Sequence, residues 1–268
     1  MKQHRLLQIA IFLLICLSNS CETNKKEMKK IVFLHHSTGW SVWLGKTNRY
    51  IYKVNREGDV QKFFDSYNKK HQTNYQITEQ SFPEVAPYGW KNYPYDYYNI
   101  WVKNAGEKPY LGEKTLEILT KEYDLIVFKH CFPVSNILPD TGTPDIESEE
   151  KRIENYKLQY DSLKNKMHEF PDKKFIIWTP AVHVKRMISE DEAKRTRKFY
   201  EWIINEWDVK GDNIFVWDFY KYETEGELYL LDKYSDGPDN SHPNREFSAK
   251  IAPLFSQFII NVMEGYIE

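Results

Sequence analysis

Cysteine is scarce: the chain has three in 268 residues, and Cys16 and Cys21 both lie near its start. Only Cys131 remains for the body of the protein, so no intrachain disulfide is expected and the fold must be held by its core, which a chain of this length can build. Long apolar runs are lacking too. The stretch from Leu6 to Leu17 is too short to span a bilayer, which argues against a multi-span membrane protein. Nor is there an excess of positive charge: 37 Lys and Arg face 39 Asp and Glu without a basic stripe, which argues against a nucleic-acid partner. No internal repeat or low-complexity tract appears, and one globular domain is the expectation.

The first residues stand apart from that domain. Lys2 and Arg5 precede the apolar stretch, and Ser18-Asn19-Ser20-Cys21 follows it, the layout of a signal peptide. A small residue directly before a cysteine, with the polar tract Glu22 to Lys30 after it, resembles a bacterial lipoprotein signal. That resemblance implies removal of residues 1–20, lipidation of Cys21, a tether over 21–29 and a domain over 30–268. Ordinary cleavage and an uncleaved amphipathic anchor are the alternatives. Loss of Lys2 and Arg5 leaves 35 basic residues against 39 acidic ones, a net charge of −4. The expectation is an exported protein, lipid-anchored to a bacterial membrane or cell surface.

Beyond the tether, short apolar runs alternate with longer periodic segments. Strands are predicted at Ile31 to His35, Tyr75 to Phe82, Asp124 to Lys129, Phe175 to Thr179 and Ile214 to Asp218. All but the second are continuously apolar at their centres, as parallel strands buried on both faces are. Helical patterns fall at Val60 to Lys70, Lys114 to Tyr123, Glu149 to Glu169, Glu190 to Trp207 and Arg245 to Gly265. This alternation predicts an α/β fold, a flavodoxin-like three-layer sandwich around a five-stranded parallel sheet. Residues Pro83 to Glu113 show little periodicity and read as a long loop, a kind of segment that is usually functional.

In an open parallel sheet, ligands sit beyond the carboxyl ends of the strands. Three stations meet there: His35-His36-Ser37-Thr38-Gly39 after the first strand, His130 to Asn136 after the third, and Asp239-Asn240-Ser241-His242-Pro243 before the last helix. A serine hydroxyl becomes a nucleophile when an imidazole accepts its proton, and the imidazole is commonly held by a carboxylate on its other nitrogen.

A serine directly after the first strand and an Asp-x-x-His segment before the terminal helix resemble the SGNH hydrolases (GDSL-like lipases and esterases). The sequence looks like a divergent branch with a His-His-Ser-Thr-Gly opening, and the likeness runs from Lys30 to the end. It implies Ser37 as nucleophile, His242 as base and Asp239 as its carboxylate. It also implies an oxyanion hole from the Ser37 N–H, Gly89 and Asn136, and an acyl-enzyme mechanism without cofactor or metal. Such an enzyme would hydrolyse acyl esters, acetyl above all, on extracellular carbohydrate. A surface carbohydrate-binding protein with weakened catalysis and an acyltransferase using the same triad are the rivals.

Other readings are structural. His35 is expected in the core and His36 as a group shaping the pocket; adjacent strand residues face opposite ways, which argues against a joint metal site. Asp218 is expected to cap the turn after its strand, His183 to lie at the surface or rim, and Cys131 to be packing. Between Pro83 and Trp101 the chain carries Tyr88, Trp90, Tyr93, Tyr95, Tyr97, Tyr98 and Trp101. Aromatic faces stack on sugar rings, so at least one of these residues is expected to contact substrate, Trp90 and Tyr93 ahead of the others. The alternative is that these rings pack the loop onto the sheet.

Overall fold

The computed structural model describes residues 27–88 and 92–267. The signal segment, Cys21, Gly89 and Trp90 lie outside the described residues. Five strands, β1 (Lys29–His35), β2 (Tyr75–Ser81), β3 (Leu125–Phe128), β4 (Lys174–Trp178) and β5 (Ile214–Trp217), form one sheet of order β2-β1-β3-β4-β5, with every pairing parallel. This is the flavodoxin-like order. β1 begins one residue inside the expected tether. β3 is buried along its whole length, while edge strand β2 buries only Ile77 fully, which is why the central strands read as apolar runs and β2 does not.

Successive side chains on each strand point to opposite faces and build two cores. Ile31, Phe33, Val127, Ile176 and Trp178 pack under α1 (Ser37–Leu44), α3 (Asp59–His71) and α9 (Arg245–Glu264). A short helix, α2 (Arg49–Asn55), joins α1 to α3. On the other face, Val32, Leu34, Phe128 and Ile177 meet aromatic side chains of α4 (Pro94–Tyr97), α6 (Ile153–His168) and α7 (Glu190–Trp202). The two remaining helices are α5 (Leu116–Glu122) and α8 (Phe219–Thr224).

The expected loop after β2 is not structureless. α4 starts at Pro94 and continues into a π-helical turn, Tyr98–Lys103. Tyr93, Tyr97 and Trp101 are fully buried from this segment, and the Tyr97 hydroxyl donates to the Lys129 carbonyl at 3.0 Å. The π turn breaks the 3.6-residue period, which hides the segment from periodicity. The proposed sugar contact at Tyr93 is therefore corrected: its ring neighbours Tyr156 and Tyr95, with the Lys151 ammonium 5.3 Å from its centre. Burial of an aromatic ring under a helix outweighs any advantage of leaving it at a surface.

Candidate active site

The strand order reverses between β1 and β3, and the crevice at that switch point is where ligands enter such sheets. Ser37 opens α1 there as its first residue, and His36, not Ser37, is the N-cap, with extended φ −125° and ψ −156°. The His36 side chain does not cap the helix; its Nε2–H donates to the Pro83 carbonyl at 2.6 Å, tying the end of β1 to the chain leaving β2. The first helical bond runs from Trp40 N–H to the His36 carbonyl. The N–H groups of Ser37, Thr38 and Gly39 thus have no intrahelical acceptor, and the positive end of α1 lies at the serine. Gly39 is required for this approach: a Cβ there would lie 2.4 Å from the His35 Cβ and 3.0 Å from Cδ of Lys129.

His242 reaches the same place from the loop before α9. That loop is closed by a bridge between Ser235 and Pro243 and by Asp236 N–H donating to the His242 carbonyl at 2.9 Å. Asn244 then caps α9 through Phe247 N–H at 2.8 Å. Ser37 and His242 line one cleft of about 520 Å³, with Trp40, Arg49, Asn240 and Arg245 among its other walls. No hydrogen bond joins Ser37 to His242 in this structure.

The residue that holds His242 is Asn240. Its Oδ1 accepts from the His242 backbone N–H at 3.0 Å and from Nδ1–H at 2.7 Å, while its Nδ2 donates to the Asp236 carbonyl at 3.2 Å. These contacts fix the amide orientation and place the imidazole proton on Nδ1, leaving the Nε2 lone pair free to accept a proton. The assignment of Asp239 to this role is corrected: it is exposed and makes no hydrogen bond or salt bridge among the described residues. An asparagine two residues ahead closes an Asx turn onto the histidine, and the carboxylate one position earlier is carried outward.

The surroundings of His242 favour its neutral form. Burial lowers its pKa below the usual histidine value, the Lys129 charge lowers it further, Asp236 opposes, and Arg49 adds to the lowering. Lys129 is wholly buried at the end of β3, with its Nζ 3.3 Å from Cys131 Sγ and 5.9 Å from the Trp178 ring centre. The sequence signal for it was a lysine ending an otherwise apolar strand. His36 is pushed down to about 4, chiefly by burial.

A second histidine stands behind the first. His183 is buried, with Nε2 3.2 Å from Asn136 Oδ1 and Nδ1 2.9 Å from Ser241 Oγ. Ser241 Oγ also accepts from Val184 N–H at 3.2 Å, so a proton on Nε2 of His183 satisfies every group. The Phe132 ring stands edge-on to both His183 and His242, with centroids 4.8 and 5.1 Å away. The expected rim position for His183 is thus replaced by a buried bridge between the loop after β3 and the loop carrying His242.

The same bridge displaces Asn136 from the oxyanion role. Its side-chain carbonyl faces His183, and it does not line the Ser37 cleft. His36 does not line the cleft either, whereas His35 is buried, with Nε2 3.2 Å from Glu79. Asp218 caps α8 by accepting from Lys221 N–H at 3.2 Å, and Cys131 is buried and free. No helix among the described residues is long and apolar enough to cross a membrane.

No family model matches the chain. No curated protein matches it either. Among solved structures, it is similar to the crystal structure of a "putative GDSL-like lipase" from Parabacteroides merdae ATCC 43184, with a TM-score of 0.48 and 14% identity over 89% of this chain and 100% of that one.

Proposed function

We propose that the protein is a serine ester hydrolase of the SGNH type, with Ser37 as nucleophile and His242 as general base. The observation that carries this reading is that Ser37, at the uncapped start of α1, shares one cleft with an imidazole whose Nδ1–H is held by Asn240. Ser37 Oγ attacks the ester carbonyl carbon and passes its proton to Nε2 of His242. The Ser37 N–H and the positive end of α1 hold the oxyanion. Collapse of that intermediate expels the alcohol, which takes the proton from His242, and a water activated by the same nitrogen then releases the acid and frees Ser37. The Ser37–His242 hydrogen bond need only close with substrate bound, as such contacts commonly do.

The acyl group we propose is acetyl, the substrate an extracellular carbohydrate, and the location a membrane surface reached through a lipid on Cys21. These finer statements rest on the lipoprotein-like Ser20-Cys21 signal and on the resemblance of the serine and histidine segments to SGNH enzymes. Turnover of an aryl acetate by the purified chain, lost in Ser37→Ala and in His242→Ala with the fold retained, is the test. Full turnover in either variant would refute it.

One observation favours a second reading, a surface carbohydrate-binding protein with weakened catalysis: the His242 partner is a neutral amide, which orients the ring but does not balance an imidazolium charge. Saccharide binding without turnover of any ester would establish that reading instead.

A further inference from the structure

The Ser37 cleft does not end at the serine. Trp40, Arg49 and Tyr50 are shared with a second hollow of about 430 Å³, completed by Tyr52, Lys53 and Arg56. Both volumes lie in the range of small-ligand pockets. From residue 46 to residue 56 the chain carries Lys46, Arg49, Lys53 and Arg56 and no acidic residue, although acidic residues outnumber basic ones in the whole chain. Arg49, Lys53 and Arg56 take part in no salt bridge among the described residues.

Among the nearby carboxylates, Glu57 follows Arg56 and accepts from the Asn55 amide at 3.5 Å, and Glu79 lies within reach of the Arg56 charge without forming a salt bridge to it. Asp59 accepts from Lys46 N–H at 2.7 Å and the Thr47 hydroxyl at 2.8 Å, Glu79 accepts from the Tyr52 hydroxyl at 3.0 Å, and Asp236 lies in the wall with His242. The lining is also aromatic. Tyr50 is 78% exposed, and Trp40 stands edge-on to Tyr52 with centroids 4.7 Å apart. Guanidinium groups without carboxylate partners recognise planar anions by paired hydrogen bonds, and exposed aromatic faces stack on sugar rings.

We propose that this hollow is an acidic-saccharide subsite, taking a carboxylate- or sulfate-bearing sugar next to the acylated residue held at Ser37. The proposal rests on the ester-hydrolase reading only for the adjoining position; the subsite itself stands on Arg49, Tyr50, Lys53 and Arg56. Ile51 and Val54 are exposed on the same short helix, a feature an anionic lipid surface could also use. The concavity shared with the Ser37 cleft favours a discrete ring over a flat bilayer.

The test is calorimetric titration of the full chain carrying Ser37→Ala, which binds without turnover, with a galacturonic acid tetramer and with its methyl-esterified, uncharged counterpart. The free acid should bind about tenfold or more tightly. That preference should fade as salt rises from about 50 mM to about 0.5 M, where charges are screened within a few Å. Arg49→Gln combined with Arg56→Gln should bring the acid to the level of the methyl ester. The charge-reversing Arg56→Glu gives a second check should the double variant fold poorly, and should weaken binding of the acid further than of the ester.

Equal binding of the two tetramers, or binding of neither at millimolar concentration, overturns the subsite. So does tight binding to phosphatidylglycerol vesicles that the acidic tetramer does not compete away. Aryl acetate turnover by the parent chain separates the two readings: acid-selective binding without turnover sinks the esterase and keeps the subsite, and turnover with equal binding sinks the subsite alone.

Discussion

Asn240 Oδ1 lies 2.7 Å from Nδ1 of His242 and 3.0 Å from the same residue's backbone nitrogen, so one amide sets both the turn and the tautomer of the base. Removing that amide should cost far more than removing the nearby carboxylate. Asn240→Ala is expected to lower kcat by about 10²-fold or more, since a mis-set tautomer in such a relay costs up to ~10⁴. Asp239→Asn should stay within about twofold. Steady-state kinetics on a small ester decides between them, and a large loss in Asp239→Asn alone would return the carboxylate to the relay.

Burial first, and then the charges around His242, set the pH at which it works. A base whose pKa is lowered stays neutral to a lower pH, so the acid limb of kcat/KM should fall below the ordinary histidine value of about 6.5. Arg49 contributes to that lowering, so Arg49→Gln should move the limb to higher pH, and Asp236→Asn, which removes an opposing charge, should move it lower. pH–rate profiles of the three proteins test the signs; a shift of Arg49→Gln to lower pH would contradict the electrostatic assignment.

His183 positions rather than reacts. His183→Ala leaves Asn136 and Ser241 without their buried partner, which is expected to cost roughly 1–3 kcal/mol of stability and to reduce kcat more than it raises KM. Its imidazole should stay neutral down to about pH 4, because burial pushes its pKa down to that value. NMR titration of the ring signals reads this directly, and an ordinary titration near 6.5 would show that the bridge is open in solution.

Tyr93 should behave as core. Tyr93→Ala is expected to cost about 3 kcal/mol or more, with equal losses on an aryl acetate and on an acylated oligosaccharide. Thermal unfolding together with paired kinetics checks it, and selective loss on the oligosaccharide with unchanged stability would restore the sugar contact.

The sheet was legible because its central strands are buried on both faces and so appear as short continuous apolar runs such as DLIVFK and FIIWT, too short for a typical helix. That Ser37 and His242 share one cleft was legible because topology brings a residue after β1 and a residue before the last helix to the same edge. Asn240 was not, since the Asp-x-x-His spacing drew attention to a carboxylate and the Asx turn that excludes it is a matter of local backbone geometry. α1 went unseen because eight residues reading STGWSVWL show no helical period, and α4 because its π turn breaks one. His183 is a buried polar group whose partners come from distant loops, and no local pattern in the chain announces such partners.

The most direct measurement is covalent. The purified chain, treated with a fluorophosphonate and digested, should carry one phosphonyl adduct on the peptide containing Ser37, formed only when His242 is unprotonated and absent from Ser37→Ala and strongly reduced in His242→Ala. An adduct on another residue, or none under conditions where esters are hydrolysed, would contradict Ser37 as the nucleophile.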